Sequence, residues 1–133
     1  MSKAPGYQKW PEHKIRASRV GQRVTVEING QVVADSRDAL LVHEDRHPPR
    51  YYFPRTDVRM QLLERTATTT HCPFKGTANY FKLHTDGKTG LHLDDAVWTY
   101  EQPYDEHPDL KDRLAFYDDK YKDIQVRIGP CEQ

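Results

Sequence analysis

Residues 70–81 combine a thiol, a cation and three aromatic rings within twelve positions. Cys72 precedes a proline, which holds it out of the helical region, and Gly76 can adopt backbone angles that are closed to other residues. From Ala78 onward the residues have the pattern of a strand. The segment is therefore predicted to be a shaped turn that leads into a sheet and presents Cys72 and Lys75 to a site.

Cys72 is the candidate catalytic residue of a thiol-dependent enzyme. A thiolate acts as a nucleophile when a nearby cation or base lowers its pKa. The adjacent His71 points to the opposite face of an extended chain, so the base would be another histidine, such as His84 or His92. The alternative is a structural cysteine, because free cysteines are among the most buried residues.

The same turn could bind an anion, with Lys75 as a point charge and backbone amides near Gly76 as donors. Three arginines of the preceding block could converge with Lys75 and would offer forks suited to phosphate or carboxylate: Arg50, Arg55 and Arg59. The alternative is a solvated set of arginines that pair with Asp57 and Glu64.

Seven histidines and the His-Leu-Asp-Asp segment at residues 92–95 contain groups that can ligate metals. Their spacing is not that of a metal site, because there is no Cys-x-x-Cys pair and no His-x-x-x-His pair on a predicted helix. We therefore expect surface histidines and a turn-forming Asp pair, with no metal and no other cofactor.

Twelve of the fourteen aromatic residues lie between positions 51 and 121. Neighbouring residues on a strand face opposite ways, so these rings cannot all enter one interior. Those left over would line a ligand pocket or a dimer contact, because large exposed apolar patches are a liability. A pocket with polar anchors would use the following residues: Arg50, Tyr52, Asp57, Lys75, Tyr80, Trp98 and Tyr100.

The chain has 133 residues, which suits one compact domain. Twenty Lys and Arg balance twenty Asp and Glu, so no global basic field favours nucleic acid or a membrane surface, and neither partner is expected. Two cysteines, no signal-peptide pattern and no long apolar stretch predict a soluble cytoplasmic protein.

The strand and turn signals predict an antiparallel, mainly β domain with one or two short helices. Residues 1–13 are predicted to be an N-terminal arm and residues 14–133 a single domain. Apolar residues that alternate before Asn29-Gly30 and an apolar run that follows it predict a hairpin that places Val26 opposite Val33. A short helix is predicted at residues 57–63 and one helical turn at 109–113. Further strands are predicted at residues 39–43, 50–53, 78–85, 96–101, 114–117 and 124–128.

Four motifs follow one another in a specific order: Tyr52-Phe53-Pro54, Cys72-Pro73-Phe74-Lys75-Gly76, Ala96-Val97-Trp98 and Ala115-Phe116-Tyr117. Their order and spacing over residues 24–128 resemble the bacterial family called domain of unknown function 427. The resemblance implies a β-tent-like fold, in which two antiparallel sheets meet at an angle. It implies no established activity, and the chain lacks the paired Cys-x-x-Cys motifs and the tryptophan cage of other β-tent groups.

These observations support three hypotheses of function. The first is a domain that binds a small polar or anionic molecule in an aromatic-lined pocket, with or without an enzymatic step. The second is a structural or interaction module whose surplus aromatic residues form a homodimer face. The third is a thiol-dependent enzyme that uses Cys72.

Overall fold

The computed structural model describes residues 2–85 and 90–129. Over these residues the chain is mainly β, with two antiparallel sheets of seven and three strands, one four-residue helix and three single 3-10 turns. The predicted mainly β class with two antiparallel sheets is confirmed. The turn signal at Asp86-Gly87 lies outside the described residues, as does Cys131.

The strands are numbered along the chain, and most of them belong to one large sheet. Its spatial order is β1 (Ile15–Arg19), β4 (Leu40–Glu44), β5 (Arg50–Phe53), β9 (Leu114–Phe116), β8 (His92–Tyr100), β7 (Gly76–His84) and β6 (Leu63–Cys72). The smaller sheet has the order β10 (Ile124–Ile128), β2 (Val24–Ile28) and β3 (Gln31–Ser36). The helix α1 is Gly6–Lys9, and the 3-10 turns are Arg55–Asp57, Met60–Leu62 and Pro108–Leu110.

The hairpin predicted at Asn29-Gly30 is confirmed, and both turn residues have positive φ, 50° and 83°. Its register differs from the prediction by one residue. Val26 pairs with Ala34, and the register shifts between Val26 and Glu27, so that Val33 has no direct partner. A bulge of this kind inserts an extra residue into one strand, which a reading of the turn alone does not reveal.

Two apolar clusters form on opposite faces of the large sheet, because alternate residues of a strand point to opposite faces. Phe53, Phe81 and Phe116 pack toward the small sheet in the main core. Their immediate neighbours Tyr52 and Tyr80 belong to a second cluster with the following residues: Leu40, Val42, Ala78, Trp98, Tyr100, Leu110 and Ala115. The predicted second aromatic surface is therefore present, and it is buried.

The helix predicted at residues 57–63 is wrong, since two separate 3-10 turns occupy this region. Val58 lies between them in an extended conformation and forms a bridge with Ala34, while the amide of Arg59 donates to the carbonyl of Val33. This pairing with β3 buries Val58 and prevents a continuous helix. The helical turn predicted at residues 109–113 is a 3-10 turn at Pro108–Leu110.

Strands β1 and β6 were not predicted from the sequence. Both lie at the edges of the large sheet and are mostly exposed, so they lack the apolar alternation that marks a half-buried strand. The one available signal was the threonine-rich composition of β6, because threonine favours strands.

Gly76 ends the turn between β6 and β7 with φ of 124°. A Cβ atom at this position would lie 3.1 Å from the carbonyl oxygen of Gln102. We expect Gly76→Ala to lower the free energy of unfolding by about 2 kcal/mol, because the side chain would strain the backbone. Urea denaturation measures the change. Gly21→Ala is the control, since a Cβ there meets no atom within 4 Å, and equal stabilities of the two variants would contradict the prediction.

Candidate ligand-binding cavity

A cavity of about 340 Å³ lies over the second apolar cluster. It brings together seven of the eight residues proposed from the sequence: Arg50, Tyr52, Cys72, Lys75, Tyr80, Trp98 and Tyr100. The wall also contains residues that sequence reasoning did not select: Val42, Glu44, His47, Pro48, Tyr117 and Asp119. The eighth candidate, Asp57, lies away from the cavity, where its carboxylate accepts a hydrogen bond of 2.6 Å from the Ser36 hydroxyl.

The aromatic part of the wall comes from paired positions on neighbouring strands. Ala115 of β9 pairs with Tyr52 on one side and Trp98 on the other, and Trp98 pairs with Tyr80. The small Ala115 side chain lets Tyr52 and Trp98 meet, with ring centroids 6.3 Å apart and the indole N–H donating to the tyrosine hydroxyl over 3.2 Å. Tyr100 stacks on Tyr52 at 6.5 Å. The rings therefore form one continuous surface.

A buried ion pair forms the polar part of the wall. The Lys75 ammonium lies 2.6 Å from Oε1 of Glu44, and both side chains are almost fully buried. The second carboxylate oxygen of Glu44 is 2.9 Å from Nε2 of His13 and 3.8 Å from Nδ1 of His47. Both oxygens of Glu44 are thus engaged by neighbouring side chains.

The ion pair keeps both Glu44 and Lys75 in their charged forms. Burial alone would raise the pKa of Glu44, but the charge of Lys75 and hydrogen bonds from Lys75 and His13 outweigh it and lower this pKa. Burial likewise opposes the charge of Lys75, but the negative charge that Tyr52 acquires at high pH and the hydrogen-bonded Glu44 carboxylate outweigh it and raise the pKa of Lys75. At neutral pH the cavity therefore contains an ammonium and a carboxylate, and Lys75 is not available as a base.

The ion pair shows that the large sheet curls around the cavity. Glu44 ends β4 and Lys75 lies in the turn before β7, and four strand spacings separate β4 from β7 in the sheet order. In a flat sheet these strands would be about 19 Å apart, which a lysine and a glutamate cannot bridge. The observed contact requires a curved sheet whose concave face encloses the cavity.

The N-terminal residues pack against the turn that carries Lys75. The amide of Gly6 donates to the carbonyl of Pro73 over 2.9 Å, and the ring of Phe74 contacts Tyr7 and stacks on His13 at 4.0 Å. His13 also reaches Glu44, as described above. This segment therefore supports both partners of the ion pair from outside the sheet.

Arg50 is held in place by two carboxylates and two rings. Its guanidinium donates to Asp118 over 2.9 Å and lies 3.0 Å from Asp119. It also lies over the rings of Trp98 and Tyr117, at 5.2 and 5.4 Å from their centroids. The positive charge of Arg50 is therefore largely satisfied by the protein.

The other predicted cations do not converge on Lys75. Arg55 donates to the carbonyl of Asp112 and pairs with Glu101, and Arg59 donates to the carbonyl of Val32. The predicted alternative, in which the arginines pair with Asp57 and Glu64, is also not observed among the described residues. Of the three arginines, only Arg50 lines the cavity.

Cys72 is half-buried on the cavity wall, at the end of β6. His71 points away, as expected for a strand, and lies 2.7 Å from the Tyr104 hydroxyl. The hypothesis that His84 or His92 serves Cys72 as a base is wrong, because these two rings stack on each other at the far end of β7 and β8. Eight residues of strand, about 26 Å, separate His84 from Gly76, which pairs with Cys72.

The phenols of the cavity are neutral at physiological pH. Burial raises the pKa of Tyr52 and that of Tyr100. Burial together with the neighbouring Tyr80 raises the pKa of Tyr117 to about 12. These hydroxyls can donate hydrogen bonds, but they do not ionise to act as bases.

The described residues contain no group of three or more His, Cys, Asp or Glu side chains placed to bind a metal ion. The Asp95 carboxylate instead accepts hydrogen bonds from Thr66 and Thr68, both at 2.7 Å. No helix in the described parts of the chain is both long enough and apolar enough to cross a membrane.

The fold and the cavity define a mainly β domain with a polar, aromatic-lined cavity on one face of its larger sheet. The sequence matches the family described as domain of unknown function (DUF427) over residues 16–127, and the chain belongs to this family. The resemblance drawn from the sequence motifs is confirmed. No curated protein matches the chain.

The buried pair predicts a specific dependence of stability on pH. Folding lowers the pKa of the Glu44 carboxyl below its ordinary value of 4.5. The ionised carboxylate therefore stabilises the fold fully at a pH above 4.5, and this stabilisation is lost as the pH falls through the pKa of the folded state. We expect Glu44→Gln to lower the free energy of unfolding at pH 7 by about 3 kcal/mol, because a buried ammonium loses its partner. The same substitution should also reduce the loss of unfolding free energy that accompanies a fall of the pH below 4.5.

Urea denaturation at a series of pH values measures both effects. Asp123→Asn is the matched control, because Asp123 is exposed and should change neither the stability nor its pH profile. A Glu44→Gln protein as stable as the wild type at pH 7, or with the same acid decline, would contradict the role of the pair.

Proposed function

We propose that this domain binds a small polar or anionic molecule in the cavity over the second apolar cluster. The observation that carries the proposal is a pair of unused hydrogen-bond donors on Lys75, beside the aromatic side chains of the wall. Lys75 uses one of its three N–H groups on Glu44, and the described residues offer no acceptor for the other two. A few orienting polar groups among aromatic side chains are typical of small-molecule sites.

The dimensions of the cavity support a ligand of metabolite size. Its volume of about 340 Å³ is near the lower end of the range for such sites. The aromatic side chains supply contact area, while the buried ion pair and Arg50 fix polar positions in the wall. The favoured function is therefore binding.

The homodimer hypothesis has less support. It rested on surplus aromatic side chains at a surface, but Tyr80, Trp98 and Tyr100 are each less than a tenth exposed and face the cavity. Among the described residues, the large hydrophobic side chains that are well exposed are Trp10 and Ile128. These two do not form the aromatic surface that the hypothesis requires.

Blocking the cavity tests the proposed function. A panel of small carboxylates, nucleotides, neutral amides and amines is screened against the wild type by ligand-observed NMR. We expect hits that Cys72→Trp abolishes, because the indole would occupy the cavity, and that the exposed Thr69→Trp on the same strand retains. Pro48→Trp, a change at an exposed position of the wall, provides a second block if Cys72→Trp does not fold. Hits that survive both blocking changes would overturn the proposal.

A thiol reaction at Cys72 is a second candidate, because this thiol shares the cavity wall with the cationic Lys75. If Lys75 activates it, alkylation should proceed below pH 7 and slow in the paired change Lys75→Met with Glu44→Gln. Iodoacetamide labelling over a pH series, read by mass spectrometry of the Cys72 peptide, measures the rate. Reaction that sets in only above about pH 8, as for an ordinary thiol, would remove this candidate.

A further inference from the structure

The ring faces of the cavity wall that could attract a cationic ligand are already occupied by cationic side chains of the protein. Arg50 lies over Trp98 and Tyr117, and the Lys75 ammonium lies 5.6 Å from the centroid of the Tyr100 ring. Aromatic cages attract ligand cations through the same ring faces. A cationic ligand would therefore have to compete with two fixed positive charges.

The acceptors of the cavity are also occupied by the protein. Both oxygens of Glu44 contact Lys75 or His13, and the carboxylate of Asp119 pairs with Arg50. Ligand donors thus find few free acceptors among the described residues of the wall. The wall therefore offers a ligand more free hydrogen-bond donors than free acceptors.

Tyr100 is the clearest of these donors. The residue is only 5% exposed, yet its hydroxyl has no hydrogen-bond partner among the described residues. Every fully buried side-chain nitrogen and oxygen in the described parts of the chain does have a partner, so the Tyr100 hydroxyl must be accessible to solvent. Since the residue lines the cavity, the hydroxyl opens into it.

Two further donors belong to side chains that neighbour the Tyr100 ring, Lys75 and Tyr52. Lys75 stands over the Tyr100 ring with two N–H groups that no described residue accepts. The Tyr52 hydroxyl accepts from the indole of Trp98, which leaves its own proton without a described acceptor. An ammonium and two phenols whose rings stack on each other form a donor set for one anionic group.

We infer that the ligand is a small carboxylate with a flat apolar body, seated with its oxygens at Lys75, Tyr100 and Tyr52 and its body along Trp98 and Tyr80. This inference rests on the proposed function and adds the chemical class of the ligand. The two oxygens of a carboxylate can accept hydrogen bonds from several donors of this set at once. The aromatic side chains provide the adjoining surface for a planar body.

Three probes that share one ring and differ in charge test the class: benzoate, benzamide and benzylamine. Titrations are followed by amide chemical shifts of the wild-type protein at millimolar probe concentrations. We expect benzoate to bind, benzamide to bind at least about tenfold more weakly, and benzylamine not to bind. Tyr100→Phe should weaken benzoate about tenfold, the ratio expected for one lost hydrogen bond to a charged group.

Tyr100→Phe is well suited to this test because the hydroxyl it removes has no protein partner, so the folded state should be as stable as the wild type. Tyr104→Phe is the matched control, since the Tyr104 hydroxyl bonds to His71 on the exposed face of the sheet. The pair of changes Lys75→Met with Glu44→Gln removes the ammonium without leaving a buried charge unpaired, and it should abolish the preference for benzoate over benzamide.

The outcomes separate the two proposals. If benzamide or benzylamine binds as well as benzoate, and Cys72→Trp still abolishes binding, the carboxylate class is overturned while the cavity remains the binding site. Equal benzoate affinities of Tyr100→Phe and the wild type, or no benzoate binding at all, would also overturn the carboxylate class. If benzoate binds and Cys72→Trp leaves its affinity unchanged, the cavity itself is not the site.

Discussion

The buried contact between Lys75 and Glu44 is the interaction on which the candidate site depends. It joins a turn at one side of the large sheet to a strand four spacings away, so it can exist only in a curved sheet. Burying two charges is costly unless further groups satisfy them. The protein meets this requirement with His13 on the second oxygen of Glu44 and with packing of the N-terminal residues on Phe74.

Strand alternation explains how a chain of modest hydrophobic content builds both a core and a cavity. Adjacent residues such as Tyr80 and Phe81 serve opposite faces of the same sheet. The phenylalanines Phe53, Phe81 and Phe116 face the small sheet. The residues with a polar tip, Tyr52 and Trp98, face the cavity and bond to each other.

Local sequence signals predicted the hairpin at Asn29-Gly30 and most of the cavity wall, because turn chemistry and aromatic surplus are visible in short windows. The features that failed depend on partners distant in the chain. Val58 is extended because it pairs with Ala34, and Glu44 reaches the cavity because the sheet curls. Glu44 follows the strand predicted at residues 39–43 and lies in a charged stretch, so the local sequence gave no sign that it would be buried. Exposed edge strands such as β6 lack the apolar pattern on which strand prediction relies.

The three buried phenols of the cavity differ in what their hydroxyl groups contribute to the fold. The Tyr80 hydroxyl lies 3.0 Å from Oγ1 of Thr70, and the Tyr52 hydroxyl accepts from Trp98, so both help to fix neighbouring side chains. The Tyr100 hydroxyl makes no such contact with the described residues. A phenylalanine at that position would supply the same ring to Tyr52 and Lys75. The contacts of the ring therefore do not require a hydroxyl at position 100.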